Sequence, residues 1–302
     1  SMGVPNEIVS QGTPRGDRVP PRIDAHHHLW EYCAEEFGWI SEEMAGLRRD
    51  FLTEDLRSEA QSAGIDGTVV VQARESLEET RWLLECARAE PLLCGVVGWA
   101  PLEDSKLPEI LGEFESAEKL IGFREIVQGK PDGYLDRPEF NRGVQTLTEL
   151  EFSYDILIRE HQLVEAARFV DRHPNQRFVL DHAAKPKIAL QEVEPWKRHC
   201  IELAQRPNVS CKLSGLVTEA DWQHWTKESI RPYLDVCVEA FGTQRLLAGS
   251  DWPVCGLACG YSQWWKLLEE YFAGFSEDER GRIFGDNARR IYRLAEGVEG
   301  LS

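Results

Sequence analysis

Eight short apolar segments, spaced along the chain and separated by helical patterns, constrain this protein more than any other feature. They are RIDAHHHLW (22–30), DGTVVVQA (66–73), LLCGVVGWA (92–100), LIGFREIVQ (120–128), SYDILIR (153–159), RFVLDHA (177–183), NVSCKLSG (208–215) and RLLAGSDW (245–252). Each is rich in leucine or β-branched residues and is bounded by turn formers, which predicts strands buried on both faces. Helices are expected between them, at 53–64, 76–90, 161–173 and 229–242, with a last helical run at 276–295. Thr53 is the expected N-cap of the first and Gly64 its stop, and Ser76 with Glu79 has the spacing of a capping box. Alternating strands and helices imply a parallel sheet, and eight repeats imply its closure into a (β/α)8 TIM barrel of the α/β class. The 302 residues fit one such domain over 21–302, preceded by a flexible arm over 1–20 whose Ser1–Met2 reads as a cloning scar. The long connection at 31–52 falls where a barrel places its catalytic mouth and could cover it.

Charge narrows the partners. With 34 basic against 52 acidic residues the net charge is -18, which argues against nucleic acid or an anionic membrane surface and suits a small-molecule partner. No apolar run approaches the roughly 18 residues of a membrane span. The eight cysteines (Cys33, Cys86, Cys94, Cys200, Cys211, Cys237, Cys255 and Cys259) are scattered, without a C-x-x-C pair, as expected of reduced thiols in a cytoplasmic protein. No phosphate-binding glycine loop and no G-x-S-x-G elbow is present, which lowers nucleotide and serine-hydrolase readings.

Barrel enzymes carry their chemistry at the C-terminal strand ends. Strict alternation along the first strand puts Asp24, His26 and His28 on one face, with His27 turned to the helical shell as a structural residue. Two imidazoles so spaced can hold one divalent ion or flank a substrate oxygen; a hydrogen-bonded structural pair is an equal reading. Asp251, in GSDWP at the end of the last strand, is placed to act as a general base, or else to cap the turn at Pro253. Asp181 and His182 alternate, so one of them is expected to face inward, and His182 adds a third imidazole to the mouth. Arg124 could grip a carboxylate or polarise a carbonyl, or else pair at the strand–helix interface. His161, Lys185, Lys212 and Ser214 are candidate polar lining, and Trp30, Trp39 and Trp252 could stack on a sugar face or simply pack.

Taken in order, the phrases IDAHHHLW, GFREIVQ, YDILIREHQL, FVLDHAAKP, CKLSGLVTEADW and GSDWPVC resemble the sugar-lactonase branch of the amidohydrolase superfamily (amidohydrolase 2 type), which includes L-fuconolactonases, L-rhamnonolactonases and sulfomuconolactone hydrolases. The resemblance covers about 21–295. It implies a lactone hydrolase opening an L-fucono-, L-rhamnono- or related 1,4-lactone. His26, His28, His182 and Asp251 would be the metal or water-activating set, and Asp251, His182 and Arg124 the catalytic residues. Arg124, His161, Lys185, Lys212 and Trp30 would bind substrate. Binuclear relatives use further mid-barrel histidines that this chain lacks, so one divalent ion, zinc for example, or none is expected. The implied partner is a small-molecule lactone or sugar acid, with a homo-oligomer open. Alternatives are a metal-dependent decarboxylase on the same barrel, a muconolactone-type hydrolase, or an inactive sugar-acid binder.

Overall fold

A computed structural model describes residues 20–295; the proposed arm, apart from its last residue, lies outside them. Eight strands form one sheet in the order of the chain: β1 (Ile23–His27), β2 (Gly67–Val71), β3 (Leu93–Gly98), β4 (Leu120–Ile126), β5 (Ser153–Leu157), β6 (Phe178–Leu180), β7 (Val209–Leu213) and β8 (Leu246–Ala248). Every neighbouring pair is parallel. The barrel closes where His28 N donates to Trp252 O at 2.7 Å and Asp251 N donates to His26 O at 2.8 Å. This is the expected TIM barrel, with strands two to five residues shorter than the apolar segments that announce them.

A helix follows each strand: α1 (Thr53–Ala63), α2 (Leu77–Ala89), α3 (Leu107–Gly112), α4 (Pro138–Glu149), α5 (Leu163–Asp171), α6 (Trp196–Ala204), α7 (Lys227–Phe241) and α8 (Tyr261–Tyr271). The last helical run breaks into α9 (Glu277–Gly281), a π-helical turn over Arg282–Asp286, and α10 (Asn287–Ile291). Two cap readings change. Leu52, not Thr53, is the N-cap of α1, and its N–H donates to Asp55 Oδ2 at 2.9 Å. Ser76 does cap α2, accepting from Glu78 N at 3.1 Å, but Glu79 does not turn back to it. Instead Glu79 accepts from the backbone N–H groups of Ala73 and Arg74 at 2.9 and 2.8 Å, pinning the loop beyond β2.

The core has two layers. Outward strand residues such as Val70, Phe123, Tyr154, Phe178 and Leu213 pack under the helices. Inward residues from the lower strand halves, among them Ile23, Ala25, Val69, Val71 and Val179, meet Ala288, Ile291, Tyr292 and Leu294 of the C-terminal segment, which plugs the barrel floor. The connection at 31–52 is folded back on itself: Trp30 and Phe51 exchange backbone hydrogen bonds of 3.0 and 2.9 Å. No helix among the described residues is long and apolar enough to cross a membrane.

Close backbone contact sets one sharp packing constraint. A Cβ on Gly143, in α4, would lie 2.0 Å from the carbonyl oxygen of Leu102. Gly143→Ala is expected to destabilise the fold by roughly 1–3 kcal/mol through overpacking. A urea titration would read this as a lower midpoint at unchanged slope; an unchanged midpoint would show that α4 can withdraw freely.

Candidate active site

The site begins with an irregularity in β1. Its register pairs Asp24 with Thr68 but His27 with Val70, so three steps on β1 face two on β2. One extra residue is inserted, which re-aims the chain. The expected common face of Asp24, His26 and His28 is therefore broken. Asp24 points outward, where it accepts from Ser250 Oγ at 2.6 Å, Ser250 N at 2.9 Å and Tyr261 OH of α8 at 2.9 Å. His26 and His28 point into the mouth. His27 faces out and bonds Thr68 Oγ1 at 2.9 Å, the structural place expected for it.

At the end of β6 the chain also departs from alternation. His182, Ala183, Ala184 and Lys185 all have φ between 50° and 64°, a left-handed run without glycine. Such residues each cost about 1–3 kcal/mol and persist where the surroundings hold them. Here Trp196 Nε1 donates to Ala183 O at 2.7 Å. The run lets Asp181 and His182 both face inward, where alternation admits one. Asp251 is likewise left-handed, at φ 55°.

Four side-chain atoms converge. His26 Nε2 and His28 Nε2 are 3.2 Å apart. Asp251 Oδ1 lies 3.3 Å from His28 Nε2, 3.6 Å from His26 Nε2 and 3.9 Å from His182 Nε2. All four residues are at most 5% exposed. A tetrahedral ion with bonds of roughly 2.0–2.1 Å needs ligand atoms about 3.3 Å apart, so this set of nitrogen and carboxylate donors fits one divalent ion such as zinc. The imidazoles are oriented from behind. His28 Nδ1 donates to Val71 O at 2.8 Å, which frees the Nε2 lone pair, and His182 Nδ1 meets Ser214 Oγ at 2.7 Å to the same effect. His26 Nδ1 faces Lys212 Nζ at 2.9 Å. When Lys212 donates there, a neutral His26 presents an N–H to the mouth rather than a lone pair.

Electrostatics follow from burial and neighbours. Burial lowers His182 to about 4 against the opposing pull of Asp251 and Asp181, and it lowers His26 well below its usual range, aided by Lys212. Burial would raise Asp251, but the nearby imidazoles His182 and His28, the hydrogen bond from His28 and the charge of Lys185 outweigh it and bring it to about 2. At neutral pH Asp251 is a carboxylate beside the uncharged imidazoles of His26 and His182.

Below this set lies a layer that the strand ends do not announce. Lys212 Nζ is 2.6 Å from Asp155 Oδ2 and 3.1 Å from Asp181 Oδ1, all three fully buried. Arg124 Nη1 donates to Asp181 Oδ2 at 3.0 Å, its Nε to Gln72 Oε1 at 2.6 Å and its Nη2 to Gln72 O at 2.6 Å. Asp155, Asp181 and Gln72 were not among the expected residues. A single acidic residue inside the apolar strand SYDIL was the available signal for Asp155, because a buried carboxylate demands a partner.

The expected substrate contacts separate. Arg124 lies at the site with two of its five N–H groups still uncommitted. Lys185 and His161 line a cavity of about 430 Å³ with Arg159 and Glu219. Lys212 is sealed beneath the imidazoles. Trp30 is fully buried and donates to the carbonyls of Leu47 and Arg49 at 3.2 and 2.9 Å, so its ring packs and offers no face to a sugar. Trp252 is also buried, whereas Trp39 is 39% exposed and donates to Ala73 O at the end of β2.

Gly215 closes on this site with φ 67°, and a Cβ there would meet His182 Nδ1 at 2.7 Å. The Ser214 hydroxyl beside it is the one partner of His182 Nδ1 among the described residues. Ser214→Ala is expected to weaken divalent-ion binding 10- to 100-fold, roughly the effect of losing a ligand's supporting hydrogen bond, with little change in melting temperature. Isothermal titration with Zn²⁺ would check this, and an unchanged affinity would mean that His182 is oriented by packing alone.

Known proteins resemble this chain over nearly its whole length. The chain is 40% identical over 290 residues to an L-fucono-1,5-lactonase of Burkholderia multivorans, covering 92% of this chain and 98% of that protein. It is 36% identical over 278 residues to an L-fucono-1,5-lactonase of Burkholderia ambifaria, covering 90% and 96%. A crystal structure of an amidohydrolase from Burkholderia multivorans with bound zinc superposes with a TM-score of 0.88 at 40% identity, over 91% of this chain and all of that one. With residues 23–294 matching the amidohydrolase family and near-complete coverage of such relatives, the chain belongs to that family.

Proposed function

We propose that this protein hydrolyses a sugar lactone of the L-fuconolactone type to its open hydroxy acid. The observation that carries the reading is the convergence of three imidazole nitrogens and the Asp251 carboxylate at the barrel mouth. Relatives at 40% and 36% identity named for the 1,5-lactone favour that ring over the 1,4-lactone expected from the sequence. A divalent ion held by His26, His28, His182 and Asp251 would supply Lewis acidity at the carbonyl and acidify the attacking water.

The chain's own groups handle the protons. The water oxygen bonds to the lactone carbonyl carbon while Asp251 accepts a water proton. A carboxylate held near 2 is a weak base, so this transfer belongs in the step where the new C–O bond is already forming. The free N–H groups of Arg124 face the developing oxyanion. The ring C–O bond then breaks and the ring oxygen recovers the proton from Asp251, or from His182 if its Nε2 has taken it. Lys185 and His161 hold substrate hydroxyls or the product carboxylate. The reading places the enzyme among small-molecule catalysts of the cytoplasm.

Acid release from freshly prepared L-fucono-1,5-lactone, L-fucono-1,4-lactone and L-rhamnono-lactones, with and without chelator, tests this. Turnover of the 1,5-lactone is expected, without carbon dioxide release. Asp251→Asn should lower kcat by about 10²–10⁴ while the protein stays folded. Wild-type turnover in that variant would remove Asp251 from the role of base, and carbon dioxide release from an aromatic acid would favour a decarboxylase.

The pH profile is a separate check. Asp251 is ionised above about 2 and His182 is neutral above about 4. Falling pH protonates His182 first and removes its Nε2 lone pair. The acid limb of kcat/KM should therefore fall near pH 4, or lower with an ion bound, rather than near 6.5. A midpoint at 6 or above would show that a different group is controlling.

A further inference from the structure

Two clusters of potential metal donors share His26. One, at the mouth, is the set described above. The other, deeper in the barrel, is formed by His26, Asp155 and Asp181, each offering a ligand atom within 4.8 Å of the others. Lys212 Nζ lies among them, 2.6 Å from Asp155 Oδ2, 2.9 Å from His26 Nδ1 and 3.1 Å from Asp181 Oδ1. We propose that the Lys212 ammonium fills the second of two cation positions in this barrel, so that removing it opens a divalent-cation site built from His26 Nδ1, Asp155 and Asp181; where the mouth also holds an ion on Nε2, His26 bridges the two as an imidazolate and its ring proton is released to solvent.

Three observations carry this. First, the three donors are arranged around a point rather than along a surface, and the cation at that point has no exposure to solvent. Second, Asp181 Oδ1 is buried without a hydrogen bond of good geometry, and is aimed at Nζ. It contacts the cation as a metal ligand would, through charge rather than direction. Third, the walls are fixed independently of Lys212. Tyr292 OH donates to both oxygens of Asp155 at 2.8 and 2.9 Å, and Arg124 holds the far oxygen of Asp181. Removing the ammonium therefore leaves the carboxylates in place, facing a vacated space with one positive charge too few. Contacts of 2.6–3.1 Å shorten to the roughly 2.0–2.2 Å of a zinc ligand with shifts of under about 1 Å.

On this assignment the deep cluster takes no ion in the wild-type chain, because its position carries a charge fixed by covalent attachment. It does not depend on whether the mouth is loaded, because the test reads a difference. Wild type, Lys212→Ala and Lys212→Ser are loaded with Zn²⁺ or Mn²⁺, freed of excess ion and measured for bound metal by mass spectrometry. Each variant is expected to hold one more equivalent than wild type, whatever the wild-type number. Its melting temperature should also rise more steeply with added ion. The double variant Asp155→Asn with Lys212→Ala should lose the extra equivalent. A folded Lys212→Ala with the wild-type stoichiometry overturns the proposal, and so does a second ion in wild type at the deep cluster. If neither variant folds even with the ion present, the proposal also fails, because the ion is then no substitute for the ammonium.

Discussion

The seam between the first and last strands governs everything above it. β8 is only three residues long, Leu246–Ala248, and beyond it the backbone closes the barrel through a single isolated bridge, His27 with Trp252. Asp24 does part of that work from the outside. Its carboxylate gathers Ser250 N, Ser250 Oγ and Tyr261 OH, and also accepts from His26 N at 3.1 Å. The bonds from Ser250 and Tyr261 tie β1 to the chain leaving β8 and to α8, and the two ends of the sheet meet with His26, His28 and Asp251 already aimed inward. Burial raises Asp24 to about 6 in spite of these donors, a measure of how completely the seam excludes water. Four donors on one carboxylate are what such burial demands.

Above the seam, the site divides charge by depth. The lower layer holds Asp155, Lys212, Asp181 and Arg124, two negative and two positive groups packed with little solvent contact. Burial raises Asp155 to about 6 against the pull of Lys212. Asp181 would also be raised by burial, but Lys212 and Arg124 together hold it below the usual carboxylate range. The difference follows from the count of cations: Asp181 faces two and Asp155 one. Because this layer is balanced within itself, the upper layer can present a single carboxylate, Asp251, against the imidazoles of His26 and His182 that burial keeps uncharged. That contrast suits an electrophile or a divalent ion and disfavours a bound anion.

The fold was legible in the sequence because it rests on repetition. Eight buried strands each repeat the same physical demand for apolar side chains on both faces, so errors of one or two residues at any end leave the architecture unchanged. The site residues on strand ends were legible for a related reason: a histidine or aspartate closing an apolar run has few structural uses. Four features escaped, the first two through a departure from regular geometry and the others because they depend on contacts distant in sequence. The extra residue in β1 separates Asp24 from His26 and His28, and nothing in IDAHHHLW marks it. The left-handed run at His182–Lys185 turns Asp181 and His182 to the same side without the glycine that would signal it. Lys212 read as mouth lining because position along a strand gives depth poorly; its partners Asp155 and Asp181 lie on other strands and appear only once the sheet closes. Trp30 looked like a stacking platform for a sugar, yet its place between Leu47, Arg49 and Phe51 depends on the folding of the 31–52 connection, a long-range event.

Those departures coincide with the candidate site. β6 has three residues and β8 has three, the shortest of the barrel, and each is followed within three residues by left-handed backbone, at His182 and at Asp251. A longer strand would have alternated, sending one of Asp181 and His182 into the helical shell. Ending the strand early and turning the backbone at once places a cation partner and an imidazole side by side from consecutive residues. The strain is held by contacts outside the site: Trp196 on Ala183, and backbone bonds from Asp251 and His28 across the seam. Rigid elements below and around the mouth thus sustain a backbone that no isolated segment would adopt, and the convergent geometry of His26, His28, His182 and Asp251 is the result.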